Sequence, residues 1–275
     1  MSDCNHDCSS CGVENCSSRE IQKLTPHPLS NIKKIYAIIS GKGGVGKSLV
    51  TSLIASEVNK RGFNVAIMDD DVTGPSIPQA FGLKDKLANT DDAGIYPVLS
   101  KKGVKIMSAN LLLEDKETPI VWRGPMIASF VQQLFTDVIY GDVDYMFIDM
   151  PPGTGDVPLT VFQSLPVDGI IIVSSPQQLV RVIVEKAVKM ANMMNIPILG
   201  LVENMSYVKC PDCGKPITVF GKSNIEKIAE SFNLEVLARI PMEESTSQAI
   251  DAGDVESIKN DYLDKAAEKI EALLK

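Results

Sequence analysis

The sequence contains no run of eighteen apolar residues, so no membrane-spanning helix is expected. It has no basic surplus. The 27 Lys and Arg stand against 35 Asp and Glu, a net charge of −8, which argues against nucleic acid as the main partner because a phosphate backbone needs a basic surface. Its first residues, Met1-Ser2-Asp3-Cys4-Asn5-His6, show neither a basic n-region nor an apolar h-region. A cytoplasmic protein is therefore expected, not a secreted one. There is no internal repeat and no low-complexity segment, and neither N-K-x-D nor T-K-x-D, the common guanine-reading strings, occurs. The missing strings favour adenine over guanine.

What is present suffices for a substantial core: 275 residues, 44% hydrophobic and 23% charged. Six cysteines fall in two places, Cys4, Cys8, Cys11 and Cys16 at the start and Cys210 and Cys213 late. In a reducing compartment such clusters point to metal or redox chemistry, not to disulfides. Residues 1–20 are polar and aperiodic, a cysteine-rich tail that metal would organise, and 21–32, with Pro26 and Pro28, read as a linker. From residue 33 to 275 short apolar runs alternate with helical stretches. The predicted strands cover 35–39, 65–68, 104–108, 145–149, 169–174, 198–202 and 236–240, and the predicted helices 47–61, 125–140, 178–194, 223–232 and 255–274. Near-continuous apolar strands alternating with helices predict an α/β fold, a doubly wound, mostly parallel sheet covered on both faces.

Gly41-Lys42-Gly43-Gly44-Val45-Gly46-Lys47-Ser48 fits G-x-x-x-x-G-K-[ST], follows an apolar strand and opens a helix, the context the motif needs. Its glycines let backbone N–H groups face phosphate, and the helix adds its positive end. Lys47 is expected to reach the β- and γ-phosphates, and the Ser48 hydroxyl to bind Mg²⁺. Met68-Asp69-Asp70-Asp71 ends a strand, where ligands bind in open α/β sheets and where a carboxylate can orient water; the plainer reading, an acidic helix-capping turn, is preferred for Asp70. Tyr145-Met146-Phe147-Ile148-Asp149 has the form of a Walker B strand whose carboxylate supports Mg²⁺. The Pro151-Pro152-Gly153-Thr154-Gly155 run after it can continue neither strand nor helix and suits a γ-phosphate-sensing loop.

Cys210-Pro211-Asp212-Cys213-Gly214 is a C-x-x-C knuckle able to grip one metal centre. Four ligands are usual, and no other cysteine lies nearby in sequence; two subunits giving two thiolates each would complete a set. A half zinc ribbon completed by the N-terminal cysteines, a redox dithiol and an inert pair remain alternatives, and the spacing suits zinc as well as iron.

The second loop lysine, Lys42, makes G-K-G-G-V-G-K-S resemble the deviant Walker A of the MinD, ParA, ArsA and nitrogenase iron-protein group. That resemblance implies that Lys42 crosses a dimer interface to the partner's phosphates. It favours Asp71 for water activation and places Asp69 nearer the Mg²⁺ shell. Together with Asp71-Val72-Thr73-Gly74-Pro75-Ser76-Ile77-Pro78, Trp122-Arg123-Gly124-Pro125-Met126, the segment 148–156, Val202-Glu203-Asn204-Met205-Ser206 and the cysteine knuckle, the chain resembles the Mrp/ApbC-type iron–sulfur carrier ATPases and their Nbp-type relatives over about residues 33–255. The family implies a homodimer holding a 4Fe–4S cluster between its two C-x-x-C pairs, weak ATPase activity and delivery to apo iron–sulfur proteins. It further implies that Asn204 contacts adenine and that 240–243 closes the base pocket.

Two features depart from the family pattern. Asp70 stands where the family often has alanine, and the tail reads C-x3-C-x2-C-x4-C, with iron–sulfur favoured over zinc there by analogy and His6 a possible extra ligand. An ATP-gated electron-transfer protein like the nitrogenase iron protein is a rival, although that protein's cluster cysteines are single and far apart. A zinc-binding, MinD-like positioning ATPase is another. It would want a basic membrane-surface helix, whereas 255–274 mixes Asp261, Asp264, Glu268 and Glu271 with its lysines and reads as a packing helix.

Overall fold

The computed structural model describes residues 23–71, 76–113, 124–153, 155–176 and 180–274. The tail cysteines Cys4, Cys8, Cys11 and Cys16 lie outside them, as do residues 72–75, Trp122, Arg123 and Thr154.

The apolar runs form the central strands of a single sheet: β1 (Asn31–Ser40), β2 (Val65–Asp69), β6 (Lys105–Ser108), β7 (Asp142–Asp149), β8 (Gly169–Ser174), β9 (Ile198–Glu203) and β12 (Val236–Arg239). With the short edge strand β5 (Val98–Leu99) the order is β12-β9-β8-β1-β7-β2-β6-β5. Every pairing is parallel except β5 on β6. The strands are buried on both faces, as near-continuous apolar sequence requires, and two clusters of buried side chains cover the faces. One contains Tyr36, Ile38, Val50, Leu53, Ile54 and Phe147; the other contains Ala37, Ile39, Met146, Ile148, Phe135 and Phe162. Small hairpins, β3 (Asn89–Asp91) with β4 (Gly94–Tyr96) and β10 (Val208–Lys209) with β11 (Pro216–Ile217), stand apart from the sheet.

The helices are α1 (Lys47–Lys60), α2 (Ile77–Ala80), α3 (Gly124–Thr136), α4 (Asp156–Ser164), α5 (Val180–Met193), α6 (Ile225–Ser231), α7 (Glu244–Asp251) and α8 (Asp264–Ala272). Helix α3 stops four residues short of the predicted end because Val138 forms a bridge with Ile95 and Tyr140 N–H donates to Ser30 Oγ. Helix α4 was absent from the sequence reading. Its Pro158 sits in the first turn, where no helical hydrogen bond is lost. The single helix expected over 255–274 is corrected to two 3₁₀ turns, Val255–Ser257 and Asp261–Leu263, leading into α8. Extended backbone at Ile258 and a break at Asn260 divide them, while buried Val255 and Leu263 pin each turn. Ala266, Ala267 and Ile270 bury the inner face of α8, and Arg61 at the end of α1 pairs with Asp264 and Glu271. Among the described residues no helix is long and apolar enough to cross a membrane.

Candidate nucleotide site and cysteine hairpin

Helix α1 begins without a side-chain cap: its N-cap is Gly46, at φ 75°. Glycine in place of a Ser, Thr or Asp cap costs only about a few tenths of a kcal/mol, which the burial of Val50, Leu53, Ile54 and Val58, at about 1.5–3 kcal/mol each, outweighs. The first-turn N–H groups thus stay available to an anion. Only glycine fits at position 46. A Cβ there would need positive φ and would stand 2.2 Å from Asn204 Nδ2.

The loop rims a cleft of about 310 Å³ lined by Lys42 to Ser48, with Asp71, Ser76 and Pro152 on its other wall. Parallel register sets Asp69 of β2 directly beside Asp149 of β7, at the carboxyl ends of both strands. Asp149 is fully buried and accepts three contacts, from Lys47 Nζ, Ser48 Oγ and Thr51 Oγ1, each at 2.6 Å. The structure thus brings the Walker A lysine, the Walker A serine and the Walker B carboxylate together. Thr51 was missed by the sequence reading; its signal was a hydroxyl three residues after Ser48, on the same helix face.

Asp69 Oδ1 accepts the Asp71 N–H at 3.2 Å, while Oδ2 is buried without a partner. Burial and then the Asp149 charge push the Asp69 carboxyl well above the ordinary aspartate range. Asp71 is half-buried and lines the cleft. Asp70, expected in a helix-capping acidic turn, is instead 1% exposed with both carboxylate oxygens unpartnered. The capping reading fails because the alternation of the strand end turns this side chain inward, on the side of Met68 and Tyr140. Burial, then the charges of Asp69 and Asp149, hold its carboxyl well above the usual range. Leaving a buried polar group unpaired costs about 1–3 kcal/mol, so Asp70→Ala is expected to stabilise the nucleotide-free protein by a similar amount. The check is a denaturant melt of both proteins; an alanine variant that unfolds earlier would contradict the orphaned state of this carboxyl.

Asn204 follows β9 and is buried, with its Nδ2 donating to Val45 O at 2.9 Å. It also lines a second cavity of about 320 Å³ beside the phosphate cleft, with Leu49, Met205, Pro241, Met242 and Glu243 among its walls. Thr246 and Ser247 of α7, which carried no sequence signal, complete it.

Cys210 and Cys213 lie in the turn joining β10 to β11, half-buried and exposed respectively, and both are free thiols. Cys210 N–H donates to Lys215 O at 3.0 Å and Gly214 N–H to Cys210 O at 2.9 Å, which folds the knuckle. The N–H groups of Cys213 and then Asp212 point at the Cys210 sulfur and lower its pKa, favouring thiolate. Among the described residues no His, Cys, Asp or Glu joins the pair to make a group of three able to hold a metal ion.

A P-loop opening a helix beside two carboxylates, on a parallel sheet with the P-loop strand at its centre, defines a P-loop nucleotide hydrolase of the MinD/ParA class. MinD of Pyrococcus furiosus superposes with a TM-score of 0.60 at 21% identity, covering 88% of this chain and 99% of that one, a likeness of fold. Residues 31–275 match the ParA model described as NUBPL iron-transfer P-loop NTPase, and the chain belongs to that family. Two similar relatives are named iron–sulfur cluster carrier protein. That of Methanocaldococcus jannaschii is 41% identical over 92% of this chain and 90% of its own length; that of Clostridium perfringens is 42% identical over 90% of each. The cytosolic Fe-S cluster assembly factor CFD1 of Candida albicans is 37% identical over 82% of this chain and 84% of its own. A nucleotide-binding protein from Archaeoglobus fulgidus, solved in complex with ADP, has a TM-score of 0.77 at 40% identity and covers 85% of this chain and 91% of that one.

Proposed function

We propose that this chain is an ATP-dependent carrier that assembles a 4Fe–4S cluster between the Cys210–Cys213 pairs of two copies and passes it to apo-proteins in the cytoplasm. The observation that carries the reading is a solvent-facing thiol pair, one thiol biased toward thiolate and without a third ligand among the described residues, in a chain with an intact nucleotide cleft. Two ligands do not fill a tetrahedral site, and a second copy supplies the other two. The carrier names of the relatives support the same cargo.

The phosphates belong in the loop 41–48, with Lys47 neutralising their charge and Lys42 reaching those of the partner copy. Adenine belongs in the cavity beside Asn204 and Pro241. The orphaned Asp69 Oδ2 and the Ser48–Asp149 contact form an oxygen-only donor set that suits Mg²⁺, which would neutralise charge on the β- and γ-phosphates when bound. Asp71, at the cleft wall, orients the attacking water. Asp71→Asn is therefore expected to leave nucleotide affinity largely intact and to slow hydrolysis by about 10²-fold or more. Equilibrium binding and steady-state phosphate release on the same preparation separate the two effects; an unaltered release rate removes Asp71 from the role.

The reading as a whole is tested by anaerobic reconstitution with iron and sulfide. Metal counting, Mössbauer spectroscopy and sizing come first, then transfer to an apo-acceptor with and without MgATP. A protein that stays monomeric with free late thiols, or that takes up zinc and refuses iron, overturns it.

A further inference from the structure

Residues 207–222 leave the fold after β9, carry Cys210 and Cys213, and return at α6. Both ends of this excursion are held by one carboxylate. Glu203, 1% exposed at the end of β9, accepts from Ser206 Oγ and from Ser223 Oγ, each at 2.5 Å, one on either side of the excursion. Arg239 Nε of β12 donates to Glu203 Oε2 at 3.3 Å and to Ser206 Oγ at 3.1 Å, and Ser223 Oγ in turn accepts the Ile225 N–H that opens α6. The residue after Glu203 is Asn204, which touches the P-loop at Val45 O.

The near arm of the excursion is also zipped to the wall of the base cavity. Met242 N–H donates to Tyr207 O at 2.8 Å, Val208 bridges Met242, and Lys209, directly before Cys210, reaches Glu243 Oε1 at 3.2 Å. Met242 and Glu243 line the cavity. A displacement of that wall therefore reaches the first cysteine within three residues.

Burying a carboxylate is costly, and Arg239 alone does not require it, because its side chain is 41% exposed and open to water. The burial has a structural return only if the geometry of the two serines matters. Resting on the carrier reading above, we propose that Glu203 is a positioning residue that couples the nucleotide site to the cysteine pair by fastening both ends of 207–222 to the strand end presenting Asn204.

The test uses the full chain and measures alkylation rates of Cys210 and Cys213, resolved by peptide mass spectrometry, with and without a non-hydrolysable ATP analogue. In the wild type the analogue is expected to change the rate by at least about fivefold, the lower end of ordinary coupling between sites. Ser223→Ala, which cuts the far tie, should bring that ratio close to one while analogue affinity is retained. Ser223→Thr, which keeps the hydroxyl, should restore it, and Glu203→Gln should fall between. A wild-type ratio of one, or an undiminished ratio in both Ser223→Ala and Glu203→Gln, overturns the proposal. Iron and sulfide counts on the same preparations report separately on the carrier reading, so failure of one does not mask failure of the other.

Discussion

Lys47→Ala is expected to abolish measurable nucleotide binding and to lower hydrolysis on the order of 10³-fold, the usual cost of deleting a preorganised charge at a phosphoryl site. The geometry adds a second effect. The ammonium lies 2.6 Å from Asp149 Oδ2, and both groups are almost wholly buried. Removing one partner of a buried pair leaves the other uncompensated, at about 3–5 kcal/mol. Here Ser48 and Thr51 still donate to the carboxylate, so the loss should fall below that range. Isothermal titration with ATP and a chemical melt measure the two effects independently. A variant that binds ATP with ordinary affinity would place the phosphates elsewhere.

The second large effect concerns the cargo. Cys210→Ser/Cys213→Ser is expected to lose completely, on anaerobic reconstitution, the cluster proposed to bridge two copies, a drop of about four iron and four sulfide per dimer. Whatever metal the N-terminal cysteines hold should remain. Serine is nearly isosteric but supplies no thiolate, and the knuckle is held by backbone bonds, Cys210 N–H to Lys215 O and Gly214 N–H to Cys210 O, that do not need sulfur. The fold and nucleotide binding should therefore survive. Undiminished iron with native-like spectra would move the cluster off this pair. Nucleotide binding that failed together with the cluster would mean the substitution had damaged the fold.

Much of this molecule is written in local patterns. The seven main strands are near-continuous apolar runs of strand length that alternate with helical stretches, the pattern of a parallel sheet covered on both faces, and the α/β architecture follows. The phosphate loop is equally plain, since its glycines and lysine lie contiguous in sequence with a strand before and a helix after. What stayed hidden depends on residues far apart in sequence. The reach of Thr51 to Asp149 spans 98 residues and that of Ser223 to Glu203 spans 20, and a lone hydroxyl in sequence carries no sign of its partner. Asp70 was misread for a related reason. An aspartate just past a strand end often caps the next turn, and only the fold, which buries this one to 1% exposure near Tyr140 with both oxygens unpartnered, shows that it does not. The helix expected over 255–274 failed because amphipathic spacing persists through Ile258 and Asn260, where the backbone turns away from helix to let Val255 and Leu263 reach the core.

The strand order has a consequence for how this protein can be altered. The carboxylates proposed above for Mg²⁺ and for water lie at or just after the ends of β2 and β7, on one side of the P-loop strand, while the cysteine excursion hangs from β9 on the other. The two sets of residues thus sit on opposite wings of the sheet, and they meet at the P-loop and at the cavity beside Asn204. A lineage, or an engineer, can rebuild the turn between the two serines for a different metal centre without touching the carboxylate wing, provided that the contacts of 207–209 with Met242 and Glu243 are kept.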